Sequence, residues 1–193
     1  MVTPERIRPA TLDDLTAIND IYNFYVRTST VTFDLEPWTM EERIAWRHHH
    51  AFAGRSTLRV SGRSDSEESS ESMSSAIGER FPVLVAEVSG QVIGWCSLSP
   101  LRAKPGYRFT AEDSIYIKDG WQRRGIGKAL LGRLLEEARR LDYHTVVALI
   151  GDSANEASIV LHQSLGFRLI GTEREVGYKF DRWLDVVQMQ WFA

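Results

Sequence analysis

The sequence predicts a mixed α/β (α+β) fold in which a mostly antiparallel central sheet is flanked by helices and one pair of strands runs parallel. Two observations carry this reading. Residues 81–88 (FPVLVAEV) and 91–99 (QVIGWCSLS) are β-rich runs joined by Ser89-Gly90, the pattern of an antiparallel hairpin. Residues 114–118 (SIYIK) and 145–150 (TVVALI) are strand patterns separated by an amphipathic helix, a connection long enough to bring the second strand back parallel to the first.

The remaining elements follow in chain order. Residues 7–10 read as a short strand. Thr11, with Asp14 three residues on, caps a helix whose apolar positions Leu12, Leu15, Ile18, Ile21, Tyr22 and Tyr25 recur at helical spacing. Thr39 and Glu42 form a second capping box and open a helix to about Ala53. Beyond the hairpin and strand 114–118, the polar turn Asp119-Gly120 and the stretch Gly125-Ile126-Gly127 lead into a helix with Ile126, Leu130, Leu134, Ala138 and Leu141 on one face. Residues 145–150 are continuously apolar, as in a strand buried on both faces. Asn155 caps a helix over 156–165 that Gly166 ends, and strands close the chain, the clearest being the alternating run 185–192 (DVVQMQWF).

At 193 residues the chain suits one domain, 1–193, and 43% hydrophobic with 25% charged residues is an ordinary soluble composition. The net charge of -3, from 23 basic and 26 acidic residues, argues against a nucleic-acid partner, which a basic excess would serve by displacing counterions. Residues 61–79 hold eight serines and five carboxylates against one arginine, a net of -4 that leaves +1 for the other 174 residues; the segment reads as a disordered insertion. The single cysteine, Cys96, excludes an intramolecular disulfide and fits a reducing, cytoplasmic setting. No metal site is expected. The run His48-His49-His50 places rings about 100° apart around a helix, so the three do not converge on one ion. No apolar run is long enough to span a membrane, and residues 1–10 lack a signal-peptide stretch.

The first chemical signal is Gln122-Arg123-Arg124-Gly125-Ile126-Gly127-Lys128, between a strand and a helix. The first amides of a helix are unpaired and lie at the positive end of its dipole, so phosphate binds there when small residues clear the approach. A P-loop fails because Gln122 stands where its first glycine belongs and Ala129 follows Lys128; a dinucleotide fingerprint fails because Leu130 replaces its third glycine. What remains is Q-x-x-G-x-G. This loop resembles the pyrophosphate loop of the GNAT acetyltransferase superfamily, and the run from Asn155 through Ser158, His162 and Leu165-Gly166-Phe167 resembles that superfamily's second cofactor motif. More narrowly, residues 29–33 (STVTF), 107–112 (YRFTAE) and 177–185 (GYKFDRWLD) resemble the phosphinothricin acetyltransferase group, which includes enzymes acting on methionine sulfoximine and methionine sulfone.

The resemblance implies a GNAT fold with splayed parallel strands, acetyl-CoA as co-substrate, direct N-acetylation of a small amino-acid-like amine, and a homodimer. It places the pyrophosphate on Arg123, Arg124, Gly125, Ile126, Gly127 and Lys128, and the pantetheine arm along Ile115, Tyr116 and Ile117, with Asn155 and Ser158 in the second cofactor motif. Glu112 matches the proposed base of the group, with Asp113 beside it as a competing carboxylate. His162 falls where many members carry a tyrosine regarded as the acid for the departing thiolate, and Tyr116 is a further candidate for polarising the carbonyl. Phe33, Arg102, Lys104 and Tyr107 match the substrate loops, although Arg102 and Lys104 depart from the usual order of basic residues there. Lys179 and Trp183 are expected to close the site or a dimer seam, and Cys96, inside an apolar strand, reads as a buried thiol rather than a nucleophile. Two other readings stay open: a protein or peptide N-acetyltransferase, and an acyl-CoA-binding regulator without turnover.

Overall fold

The computed structural model describes residues 4–52 and 80–193; the acidic segment 61–79 lies outside them. Strand β1 (Arg6–Pro9) leads through a single 3-10 turn (Leu12–Asp14) into α1 (Leu15–Thr28) and then α2 (Met40–Phe52). There follow β2 (Val83–Val88), β3 (Gln91–Pro100), β4 (Thr110–Ile117), α3 (Ile126–Arg140), β5 (Thr145–Gly151), α4 (Glu156–Gln163), β6 (Arg168–Lys179) and β7 (Arg182–Phe192). The seven strands form one sheet in the order β1-β2-β3-β4-β5-β7-β6, antiparallel throughout except for the parallel pair β4–β5.

Both expected capping boxes form. The Thr11 amide donates to Asp14 Oδ2 at 2.7 Å, and at α2 the Thr39 amide donates to Glu42 Oε2 at 2.8 Å while the Glu42 amide returns a bond to Thr39 Oγ1 at 3.2 Å. Asp14 also takes Arg8, whose guanidinium reaches Glu87 on β2, so the start of α1 is tied to the sheet edge by an ion-pair network.

Alternation along the strands divides the core between the two faces of the sheet. Leu84, Ala86, Ile93, Cys96, Leu98, Val146 and Ala148 pack beneath the apolar stripe of α3, made by Ile126, Leu130, Leu131, Leu134 and Ala138. Val83, Val85 and Trp95 face Leu15, Ile18, Ile21, Tyr22 and Val26 of α1. Burial on both faces explains why β2 and β5 read as unbroken apolar runs. Arg43 of α2, 1% exposed, is caged by the rings of Tyr22, Trp38 and Trp46 at 4.3–4.8 Å and donates to Asn19 Oδ1.

Helix α4 stops at Gln163 rather than 165, α1 proper starts at Leu15 after the 3-10 turn, and two strand starts differ by more than two residues from the sequence reading. β4 begins at Thr110, four residues before the apolar run, because Glu112 and Asp113 sit inside the strand. β7 begins at Arg182 rather than Asp185, since its first residues pair with the exposed edge strand β6 and need no apolar pattern. The feature that matters for function is a fork. Parallel pairing joins Thr110–Asp113 to Thr145–Ala148 and then stops, so Ser114–Ile117 and Leu149–Gly151 diverge, each still held by its antiparallel neighbour.

Leu134 is fully buried under the sheet at the centre of α3. Leu134→Ala is expected to lower unfolding free energy by about 2 to 5 kcal/mol, read from urea denaturation with an unchanged m-value.

Candidate active site

The fork opens into a cavity of about 720 Å³. Its walls include Glu112, Asp113, Ser114, Ile115 and Tyr116 of β4, Val147–Gly151 of β5, Ser158 and His162 of α4, and Tyr22, Thr32, Phe33 and Arg102. Of the residues picked from sequence, Glu112, His162, Ile115, Tyr116, Ser158, Phe33 and Arg102 meet here, while Ile117, Asn155 and the turn 123–128 lie outside the walls.

Glu112 is half-buried at the crotch of the fork, opposite Ser99 on one side and Val147 on the other. Burial first, and then the neighbouring charge of Asp113, push its carboxyl up to about 7. It can therefore take or release a proton near neutral pH. Alternation turns Tyr116 to the same face as Glu112, stacked on Trp95 with ring centroids 4.9 Å apart, and burial pushes its phenol up so that it stays a donor. Asp113 points to the opposite face, where His162 Nε2 lies 3.0 Å from its Oδ2.

At the start of α3 the chain turns through Arg123 (φ +61°) and Gly125 (φ +89°). Gly125 is the N-cap residue, has no Cβ to strain in that left-handed conformation, and faces open space. The first bond of the helix runs from the Ala129 amide to the Gly125 carbonyl, leaving the amides of Ile126, Gly127 and Lys128 without a partner in the helix. Gly127 has another reason than the expected anion approach: a Cβ there would meet Leu161 Cδ2 at 3.2 Å, so it lets α3 pack on α4. Arg123 and Lys128 are exposed, whereas Arg124 folds back to donate to the Gly120 carbonyl at 2.9 Å and lies over Trp121. The side chain of Ile126 is buried, so only its backbone faces outward. Asn155 caps α4, its Oδ1 accepting from the Ser158 amide at 3.3 Å.

The roof is the segment after α1, residues 29–34, strapped across to the far prong of the fork. Thr30 Oγ1 donates to Asp152 Oδ2 at 2.7 Å, and Arg182 donates to the same oxygen at 2.6 Å. Lys179, 3% exposed, donates to the Thr32 carbonyl at 2.8 Å. The Phe33 ring fills the space above Gly177, where a Cβ would stand 2.3 Å from Cε2. Lys179 thus ties the roof to β6, while Trp183 is 62% exposed and lies outside the cavity.

The substrate candidates divide. Phe33 and Arg102 line the fork cavity; Lys104 and Tyr107 instead line an adjoining hollow of about 550 Å³, with Arg80, Arg108 and the shared Arg102. The roof also uses Asp152, Thr30 and Arg182, which the sequence alone does not single out, because a hydroxyl–carboxylate bond across 122 residues and an ion pair across 30 leave no local pattern. Asp113 is expected from sequence only as a rival to Glu112; the alternation of the strand separates the two.

The model of the Acetyltransferase (GNAT) family matches residues 18–167. A phosphinothricin N-acetyltransferase of Streptomyces coelicolor is 38% identical over 181 residues, covering 94% of this chain and 92% of that protein. The L-methionine sulfoximine/L-methionine sulfone acetyltransferase of Salmonella typhimurium is 36% identical over 184 residues, covering 95% and 92%. Among solved structures, a GNAT superfamily phosphinothricin acetyltransferase of Sinorhizobium meliloti in complex with AcCoA superposes with a TM-score of 0.80 at 31% identity, covering 97% of this chain and 88% of that one.

The seat of Phe33 is open to test. Gly177→Ala is expected to destabilise the fold by about 1 to 3 kcal/mol by forcing the ring aside, and Phe33→Ala in the same chain to recover most of that loss. A double-mutant cycle by thermal or urea unfolding checks the coupling.

Proposed function

The chain belongs to the GNAT acetyltransferase family, and from that premise we propose that it is a single-domain, acetyl-CoA-dependent enzyme that N-acetylates a small amino-acid-like amine of the phosphinothricin, methionine sulfoximine or methionine sulfone type. One observation carries the mechanism: the parallel pair β4–β5 comes apart just beyond Glu112. Past that point the Ser114–Ile117 edge has backbone groups free of β5, suited to the amides of a pantetheine arm. The uncapped amides of Ile126, Gly127 and Lys128 are suited to its pyrophosphate, with Arg123 and Lys128 adding charge. A donor held by both brings its thioester to the crotch of the fork.

An amino-acid amine arrives as an ammonium. Glu112 accepts its proton, directly or through a water, and the freed lone pair attacks the thioester carbonyl without an acyl-enzyme. Tyr116 O–H and the backbone amides of β4 are the donors available to the oxygen that gains charge. His162 supplies the proton for the departing thiolate. Arg102, at the mouth of the cavity, suits the anionic end of the substrate, with Phe33 against its carbon chain.

The homodimer belongs to the same proposal. Ile170, Val176, Tyr178, Phe180 and Trp183 are each more than half exposed on the β6–β7 hairpin, an apolar surface suited to a second copy. We assign the enzyme to the cytoplasm, in keeping with its one cysteine, which is buried; among the described residues no helix is long and apolar enough to cross a membrane.

Free-thiol release from acetyl-CoA, followed against phosphinothricin, methionine sulfoximine, methionine sulfone, other amino acids, polyamines and peptides, tests the reaction; no turnover with any amine despite donor binding would refute it. Glu112→Gln is expected to lower kcat by about 10²- to 10⁴-fold with acetyl-CoA affinity nearly unchanged. A carboxyl whose folded pKa is raised disfavours the folded state once ionised, so wild-type stability falls as pH rises from about 4.5 to about 7. The same variant is therefore expected to be more stable than wild type at pH 8, by about 1 to 3 kcal/mol after allowing for partial solvent contact, and of similar stability near pH 4. Trp183→Glu is expected to shift the sedimentation coefficient from dimer to monomer.

A further inference from the structure

Asp113 and His162 form a contact whose chemistry reaches beyond either residue alone. Both side chains are nearly sealed from solvent, at 1% and 2% exposure. On the far side of the ring, His162 Nδ1 lies 2.7 Å from the Ser158 carbonyl. A carbonyl only accepts, so Nδ1 carries a hydrogen. One further proton then has to lie between Nε2 and Asp113 Oδ2, 3.0 Å apart, because two bare acceptors would repel. The pair thus stores one proton more than a neutral histidine beside an ionised aspartate. The second carboxylate oxygen of Asp113 is buried, with no protein hydrogen-bond partner among the described residues, so His162 is the side chain that holds this carboxyl.

The store has an outlet. Ser158 Oγ lies 3.3 Å from His162 Nδ1, and Ser158 lines the fork cavity. We propose that Asp113, His162 and Ser158 form a proton-delivery chain for the thiolate released by acetyl transfer, with Asp113 as the positioning residue and Ser158 Oγ as the group that meets the sulfur. This rests on the reading of His162 as the source of that proton. In the step, the Ser158 hydroxyl hydrogen passes to the thiolate, forming S–H, as Oγ takes the Nδ1 hydrogen of the imidazolium. The ring is left with its remaining hydrogen on Nε2 against Asp113, and its bare Nδ1 beside the Ser158 carbonyl is an unfavourable, transient arrangement that draws a proton back. After the products leave, the ring takes a proton from solvent through the same hydroxyl.

Among the described residues, the titratable groups beside this pair come from β4 and β3. Glu112 is its neighbour on β4, and Cys96 on β3 carries a thiol that burial holds neutral. β5 presents Ala148 and Ile150, and Phe167 sets its ring edge-to-face with that of His162 at 4.9 Å. Burial alone would pull the ring toward its neutral form, but the hydrogen bond and charge of Asp113 outweigh it, so His162 titrates above its ordinary value.

Imidazole ¹⁵N spectra of the wild-type protein are expected to show both His162 nitrogens protonated at pH 7; a neutral ring would overturn the proposal whatever the variants do. In Asp113→Asn, whose amide oxygen still accepts from Nε2, the His162 midpoint is expected to fall by at least about one pH unit, cutting kcat about tenfold on the basic limb. The acidic limb set by Glu112 should move down as well, because the neighbouring charge is gone. Ser158→Ala is expected to leave the His162 midpoint in place and lower kcat by about 10²-fold with the acetyl-CoA KM within about twofold. An unmoved midpoint in Asp113→Asn removes Asp113 from the chain while leaving His162 as the acid. A midpoint that moves without the basic limb overturns the chain and the acid reading together, and the Glu112 limb survives as a separate result. Unchanged kcat in Ser158→Ala overturns the outlet.

Discussion

The structure turns on one interruption of backbone hydrogen bonding. A parallel strand pair inside a sheet ordinarily continues for its full length, since each unpaired backbone group away from water is destabilising. Here β4 and β5 pair over four residues and separate beyond Asp113 and Ala148, although both strands run on. The prongs persist because each keeps its outer antiparallel neighbour, β3 for one and β7 for the other. The inner edges are left for something else to satisfy. That requirement accounts for the cavity, for the position of Glu112 at the crotch, and for helix α3 beginning a few residues beyond the end of β4 with its amides uncapped.

Opening the fork demands that something hold the prongs apart at a fixed spacing. The segment after α1 does this from above, with Thr30 and Thr32 bonded to Asp152 and Lys179 and with Phe33 wedged over Gly177. α4 does it from below, through His162 on Asp113. The same contacts shape the candidate site. The roof brings an aromatic wall to the cavity, and the lower tie places the His162 ring on the face opposite Glu112. Adjacent residues of one strand thereby face opposite sides of the sheet, which in the proposed reaction sets Glu112 toward the amine and Asp113 toward the leaving group.

Most of the architecture was legible in the chain because it rests on local chemistry. The Thr11/Asp14 and Thr39/Glu42 boxes, the apolar stripe from Ile126 to Ala138, the Ser89-Gly90 hairpin and the Asn155 cap are each written within a few residues. The start of β4 was not, because a strand that lines a site carries charges where a core strand carries apolar side chains. β6, an edge strand exposed along most of its length, has no alternation to read. In the site, Glu112, His162 and the glycine turn were accessible from motif and resemblance. The separation of Lys104 and Tyr107 into a second hollow depended on the path of the loop after β3, and the pairing of Asp113 with a ring 49 residues away depended on how α4 docks. Neither is encoded by spacing alone.

In the proposed reaction the acetyl donor completes the open edge of β4 and the first turn of α3. Backbone amide hydrogen exchange with and without saturating coenzyme A reads this directly. Amides within Ser114–Ile117 and Ile126–Lys128 are expected to become strongly protected on binding, while those of β1 and β2 are unaffected. Binding that leaves both segments exchanging as in the free protein, with protection elsewhere, would contradict this role of the donor.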